Sequence, residues 1–220
     1  MMPTSLFSSR QFSAANAMTL LVYAALGGVI FFLVLELQTV VGYGPLRAGL
    51  ATLPMTGIML LFAKRGGALS TRIGPRLPMT LGPIVCAAGI ALLALVDAES
   101  TYWLDIFPGV VVFALGLALL VAPLTGTVLA AAPDRNAGIA SGVNNAVARA
   151  GSLLAVSALP AVVGLAGADY NRPAAMSAGY QQAMWICVAL LVAGGLTSYA
   201  LIRNPVATPE PEALLDTSPA

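Results

Sequence analysis

Histidine is missing from all 220 residues, and ten basic and nine acidic side chains are the only formal charges outside the termini. Without an imidazole, Ser–His and Cys–His catalysis and every HExxH zinc site are excluded. Charged residues form 9% of the chain, against roughly 25% in soluble globular domains. So few charges cannot coat a soluble surface of this size, and lipid must be the outer solvent for much of it. The net charge is only +1, and no basic stripe with interleaved aromatics occurs, so nucleic acid is not an expected partner. The two cysteines, Cys86 and Cys187, sit inside apolar runs. They read as small hydrophobes, with neither a disulfide framework nor a metal site. No cleavable signal peptide is visible, because the first apolar run is too long and lacks a convincing cleavage site.

What the chain does hold is hydrophobic length, with 59% of its residues apolar. A transmembrane helix needs roughly 20 largely apolar residues. Six stretches qualify, over residues 14–41, 46–63, 78–96, 106–132, 137–165 and 181–202. The second is short and carries Pro54. Polar or Gly/Pro-marked connections separate the stretches, over 42–45, 64–76, 97–105, 133–136 and 168–180. Pro54, Pro83, Pro123 and Pro160 are expected to kink their helices. Residues 1–13 read as a cytoplasmic lead-in and 14–202 as a six-helix bundle. Residues 203–220 hold four prolines with Glu210, Glu212 and Asp216 and read as a disordered cytoplasmic tail.

Basic residues are retained on the cytoplasmic side. Arg10, Lys64, Arg65, Arg72, Arg76, Arg135 and Arg203 fall in one set of connections, and only Arg47 and Arg172 in the other. This asymmetry predicts both termini in the cytoplasm. It also gives the first and second triplets of spans opposite topology, the arrangement of an inverted three-helix repeat. The expected fold class is therefore all-α: a polytopic membrane protein of six transmembrane helices in two inverted repeats.

Three motifs sharpen the reading. At the first turn stands Leu37-Gln38-Thr39-Val40-Val41-Gly42-Tyr43-Gly44-Pro45-Leu46-Arg47-Ala48-Gly49, whose glycines and proline suit a tight reversal. Between the second and third spans stands Gly67-Ala68-Leu69-Ser70-Thr71-Arg72-Ile73-Gly74-Pro75-Arg76. The fifth span opens with Ala140-Ser141-Gly142-Val143-Asn144-Asn145-Ala146-Val147-Ala148-Arg149-Ala150-Gly151. On a helix, Ser141, Asn145, Arg149 and Ser152 share a sector of about 80°. Gly138, Gly142, Ala146 and Ala150 form a neighbouring small-residue ridge suited to close helix packing. Arg149 is expected to face the bundle interior or a watery cavity, or else to snorkel at the cytoplasmic interface. On the first span Asn16, Thr19, Tyr23 and Gly27 share a similar sector, which fits either a cavity lining or helix–helix hydrogen bonding. Glu36, the lone acid in an apolar run, reads as a proton carrier or as a wetted interfacial charge. Trp103 and Trp185 read as interfacial anchors near the outer ends.

Together the three motifs resemble the fourteen-span drug:proton antiporter branch of the major facilitator superfamily, in its C-terminal half, about spans nine to fourteen. The second motif departs from the family pattern: Thr71 stands at the position of an aspartate and Pro75 at that of a basic residue. The resemblance implies proton-coupled efflux of drugs or small lipophilic molecules across a bacterial plasma (inner) membrane. The proton gradient is then the energy source, and no cofactor is implied. Helical position and chemistry put Asn145, Arg149, Ser141, Asn16 and Tyr23 at a substrate cavity or gate and Glu36 in proton coupling, while the resemblance gives Gly67, Arg72, Gly74 and Arg76 to the conserved cytoplasmic-loop motif. Expected partners are the lipid bilayer, a small-molecule substrate, and either a missing N-terminal half or a second copy of the chain. The first eight spans of the family are expected to be missing, through truncation, a split gene or an internal start. A non-transporting fragment or partner subunit of a split transporter is the alternative. An intramembrane protease is disfavoured, since no two aspartates lie within spans. A water channel is disfavoured too, since the one Asn204-Pro205 pair is followed by Val206.

Overall fold

The computed structural model describes residues 8–204, so the expected tail lies almost wholly outside the described residues. Among the described residues seven α-helices run in chain order: α1 (Arg10–Thr39), α2 (Pro45–Ala51), α3 (Leu53–Ile73), α4 (Arg76–Leu93), α5 (Phe107–Ala130), α6 (Ala137–Val162) and α7 (Pro173–Leu201). A π-helical turn over Tyr102–Ile106 leads into α5, and short 3₁₀ turns precede α6 and α7. Six helical segments are long and apolar enough to cross a membrane, α2 and α3 together forming the second.

Neighbours in space are not neighbours in sequence. The helices form a ribbon in the order α3–α5–α4–α7–α1–α6. Exchanging the first three spans for the last three maps this order onto itself: α3 on α5 corresponds to α6 on α1, α5 on α4 to α1 on α7, and α4 on α7 to itself. The contacts thus carry the two-fold relation of an inverted repeat, as the expected fold class requires. The ribbon's ends are its least covered members. In α3 the only buried residue is Gly66, while Leu53, Leu60 and Leu61 are exposed.

Lipid tails are as apolar as leucine, so burial of apolar area does little to hold such helices together, and close packing takes its place. At the α3–α5 contact, a side chain on Gly66 would run into the carbonyl oxygen of Ala118. At the equivalent α6–α1 contact, a Cβ on Gly151 would lie 2.7 Å from the carbonyl oxygen of Leu20. Glycine is what lets each pair of backbones meet. Cys86 and Cys187 are buried and free, and the Cys86 thiol lies 3.5 Å from the Phe113 carbonyl oxygen, toward which it donates weakly.

Several expected boundaries move. The first helix begins at Arg10, inside the expected lead-in, because the Ser9 hydroxyl accepts from the Phe12 N–H and caps it. The connection expected over 64–76 is mostly helix, since α3 runs on to Ile73. Charge ends a hydrophobic run but does not end a helix, and the stretch from Lys64 to Ile73 contains no proline. The true stop is Gly74, at φ +83°. The sixth span starts at Pro173 rather than near 181, which carries Trp185 about 18 Å along its helix and away from the helix end where an interfacial anchor was expected. Pro83, Pro123 and Pro160 lie inside their helices. Pro54 instead sits in the first turn of α3, just after the break at Thr52, where a proline costs little.

Candidate functional site

The α1–α6 contact is polar at its cytoplasmic-motif end. Asn16 and Thr19 are buried on α1, and each first satisfies itself by donating to its own helix: Asn16 Nδ2 to the Phe12 carbonyl at 2.9 Å and Thr19 Oγ1 to the Ala15 carbonyl at 2.9 Å. Asn144 of α6 then donates across the interface, to Thr19 Oγ1 at 2.7 Å and to Asn16 Oδ1 at 3.3 Å. Asn16 therefore takes part in helix–helix hydrogen bonding. Tyr23, two turns further along the same face, is half-buried and packs against the apolar core.

Asn145 and Arg149 lie elsewhere. Both are exposed on the face of α6 turned away from α1, and the Asn145 amide donates to the Ser141 carbonyl one turn back at 3.1 Å. Ser141 is half-buried. The five expected cavity residues thus divide between a closed interhelical contact and an open face. The expected packing ridge moves as well. Gly138 and Gly142 have no heavy atom within 4 Å of where a Cβ would sit, and Ala146 and Ala150 are exposed. The stripe that meets α1 lies about 170° round the helix from that ridge: Ala148, Gly151 and Ala155 are buried, with Asn144 at its head. Asn144 is the interhelical donor that periodicity did not select.

The cytoplasmic-loop motif works as a clasp. Gly74 makes the turn out of α3, in a left-handed conformation that only glycine adopts cheaply. Its missing side chain leaves room for Asn204, whose Oδ1 accepts from the Arg76 N–H at 3.1 Å. The Arg76 guanidinium donates from Nε and Nη2 to the Tyr199 carbonyl, at 3.0 and 2.7 Å, and lies 4.6 Å from the centre of the Tyr199 ring. Gln11 exchanges two hydrogen bonds with the Arg203 backbone, at 3.0 and 3.1 Å. The starts of α1 and α4 are thereby tied to the end of α7. Thr71, standing where the family pattern has an acid, donates only to the Ala68 carbonyl of its own helix at 2.8 Å. Arg72 is exposed and forms no ion pair among the described residues. Gly67 and Thr71, with Gln11, Thr127 and Asn204, line a cavity of about 880 Å³ at this end of the bundle.

Glu36 is fully buried, not wetted. Near the far end of α1 it faces α7 and the end of α4, and neither carboxyl oxygen has a hydrogen-bond partner. The Ser177 hydroxyl lies close enough to interact with it, though not at hydrogen-bond geometry. The neighbouring Tyr180 hydroxyl spends its proton on the Leu93 carbonyl, at 2.6 Å.

Known proteins agree with this architecture. The family model described as Major Facilitator Superfamily matches residues 2–156. The tetracenomycin C resistance and export protein of Streptomyces glaucescens is 31% identical over 165 residues, covering 72% of this chain and 29% of that protein. The methylenomycin A resistance protein of Streptomyces coelicolor is 32% identical over 209 residues, 93% of this chain and 41% of that protein. The quinolone resistance protein NorB of Staphylococcus aureus is 28% identical over 198 residues, 90% of this chain and 41% of that protein. The chain thus spans well under half the length of these curated relatives. With six membrane-spanning segments, an inverted-repeat ribbon and a family match over most of its length, this multi-pass membrane protein belongs to the major facilitator superfamily.

Proposed function

We propose that this chain forms the C-terminal half of a proton-coupled efflux transporter for drugs or small lipophilic molecules, working against a second six-helix half. The observation that carries the proposal is the open face of α6. An exposed arginine and an exposed asparagine on a membrane-spanning helix, flanked by glycines and alanines and hydrogen-bonded to no other helix among the described residues, are costly against lipid. They suit a wall whose opposite side is another protein surface or a watery cavity. The sparse burial of α3 at the other end of the ribbon supports the same reading. The names of the relatives, which describe antibiotic resistance and export, support efflux as its direction.

Glu36 is the proposed proton site, since a fully buried carboxyl without a partner is a place where a carried proton can reside. The energy source is the proton gradient across a bacterial plasma (inner) membrane, and no bound cofactor is invoked. Both termini lie in the cytoplasm, as the Lys/Arg asymmetry argues. Arg149 belongs to the cavity or gate, and the Arg76 clasp holds the cytoplasmic ends of α1, α4 and α7 together during rocking of one half against the other.

The test is dye efflux from a pump-deficient bacterium. Residues 1–220 alone should give none. Co-expressed with the preceding half of the methylenomycin A resistance protein, they should give efflux that collapses with the proton gradient and is lost in Arg149→Ala. In Glu36→Gln, drug should still bind while efflux no longer follows the gradient. Proton-dependent efflux by this chain alone would overturn the half-transporter reading in favour of a homodimer.

A further inference from the structure

At the end of the bundle opposite the Arg76 clasp, a cavity of about 520 Å³ lies between the α1–α2 turn and the 97–105 loop. It is separate from the open face of α6. One wall carries Tyr43, Arg47 and Leu50, and the other Thr101, Tyr102 and Trp103. Its volume falls within the range that holds a drug-sized molecule.

The loop wall is built, not incidental. The Asp97 carboxylate accepts from the Glu99 N–H and the Ser100 hydroxyl, both at 3.0 Å. The Asp105 carboxylate accepts from the Thr101 N–H at 2.7 Å and its hydroxyl at 3.1 Å. Both acids are thereby turned into their own loop, and neither lines the cavity. The π-helical turn aims Tyr102 across the gap, where its hydroxyl donates to the Ala51 carbonyl at 3.3 Å and pins the loop to the end of α2. Such turns concentrate at functional sites. Tyr102 and Trp103 pack edge to face beside the opening, their centroids 5.1 Å apart, and Phe107 packs against both at a tilt.

Against this apolar, aromatic lining stands one charge. The Arg47 guanidinium carbon lies over the Tyr43 ring, 4.0 Å from its centre. Arg47 forms no ion pair among the described residues. A guanidinium's paired N–H donors match a planar two-oxygen anion. The hydroxyls of Ser100 and Thr101 are already committed within the loop, so the cavity offers ring faces and one cation.

We infer that this cavity is a binding site for an aromatic molecule bearing a single carboxylate, with its rings against Tyr102 and Trp103 and its carboxylate on Arg47. Cationic amphiphiles are repelled by the same guanidinium. The site exists in this chain without any second half, so its test is independent of the transport reading.

The chain carries two tryptophans, and Trp103 lines the cavity, so Trp185→Phe leaves a single reporter at the site. In phosphatidylcholine nanodiscs, 2-naphthoate should quench Trp103 fluorescence saturably. Arg47→Gln should weaken that binding about tenfold or more, and Arg47→Lys, which keeps the charge but loses the fork, by less. Neutral 2-naphthol should bind more weakly than naphthoate and be indifferent to both changes. An unchanged melting temperature in Arg47→Lys guards against a folding artefact. Equal naphthoate affinity in Arg47→Gln, or equal binding of naphthylmethylammonium, would overturn the assignment. So would loss of naphthoate binding when phosphatidylglycerol is added, which would give Arg47 to a lipid phosphate instead.

Discussion

Gly151→Ala adds one methyl group at the α1–α6 contact, where the new carbon would lie 2.7 Å from the Leu20 carbonyl oxygen and 3.3 Å from the Ala24 nitrogen. Both are backbone atoms of α1, so no side chain can swing aside. To restore ordinary contact, α6 must retreat by about 0.7 Å, enough to forfeit roughly a quarter to a half of each dispersion well along the contact. Overpacking of this kind costs about 1–3 kcal/mol. Alanine returns about 0.5–1 kcal/mol of helix propensity over glycine; with both contacts on rigid backbone the loss lies toward the upper part of the remaining range of about 0–2.5 kcal/mol. Gly66→Ala, at the repeat-related α3–α5 contact, meets a carbonyl still more directly and should lose at least as much. Gly142→Ala opens onto nothing within 4 Å and should be neutral or gain by its propensity alone. Unfolding of the three variants in mixed micelles by titration with sodium dodecyl sulfate, followed by circular dichroism, measures all three. If Gly151→Ala matched the parent chain, or Gly142→Ala lost as much, the placement of α6 on α1 through the Gly151 stripe would be refuted.

Three further outcomes follow from the same geometry. Asn144→Ala removes two interhelical donors and should cost about 1–2 kcal/mol in the same assay, whereas Asn145→Ala should be near neutral in the isolated chain. Arg76→Ala removes both guanidinium bonds to the Tyr199 carbonyl while keeping the backbone bond to Asn204, and should loosen the end of α7, seen as faster amide exchange at Leu201–Asn204 with little change in the bundle core. Asp169 is hydrogen-bonded by the Arg172 side chain and the Ala166 N–H, which hold its carboxyl below the usual carboxylate range. A depressed folded-state value stabilises above the unfolded value and is lost as pH falls through the folded one. The turn before α7 should therefore be indifferent to pH from neutrality down to about 4 and loosen only below, and Asp169→Asn should abolish that dependence.

Hydropathy located all six spans because a membrane helix must be apolar for about 20 residues whatever its neighbours do. The Lys/Arg pattern and the three-plus-three division led to the inverted repeat, and the ribbon's symmetry agrees. Helix ends were less legible: Lys64 and Arg65 close a hydrophobic window without closing α3, and Pro173 opens α7 eight residues before the apolar run begins. The face of α6 that meets α1 was missed by nearly half a turn: Asn144, Ala148, Gly151 and Ala155 lie about 170° round the helix from the expected ridge of Gly138, Gly142, Ala146 and Ala150, and about a quarter turn from the polar stripe of Asn145. Two adjacent asparagines give the same polarity signal, and only the partner helix decides between them. A usable clue did exist, since Asn144, Ala148, Gly151 and Ala155 are small or amide-bearing at helical spacing and Asn16 and Thr19 invite a donor. That Glu36 lies dry was not legible, because dryness depends on α7 and α4, distant in sequence.

The ribbon order also sets a timetable for biosynthesis. The α4–α5 pair can form as soon as its second helix leaves the ribosome, but α1 finds its main neighbours in α6 and α7. The Asn144–Thr19 bond spans 125 residues of chain. At about 5–20 residues per second of synthesis, α1 waits roughly 6–25 s in the membrane with Asn16, Thr19 and Glu36 unclaimed by any other helix. Asn16 and Thr19 bridge the delay by bonding to their own backbone, while Glu36 has no such refuge. The nascent first helix is thus the stage of synthesis most in need of an insertion chaperone and most exposed to quality-control proteolysis.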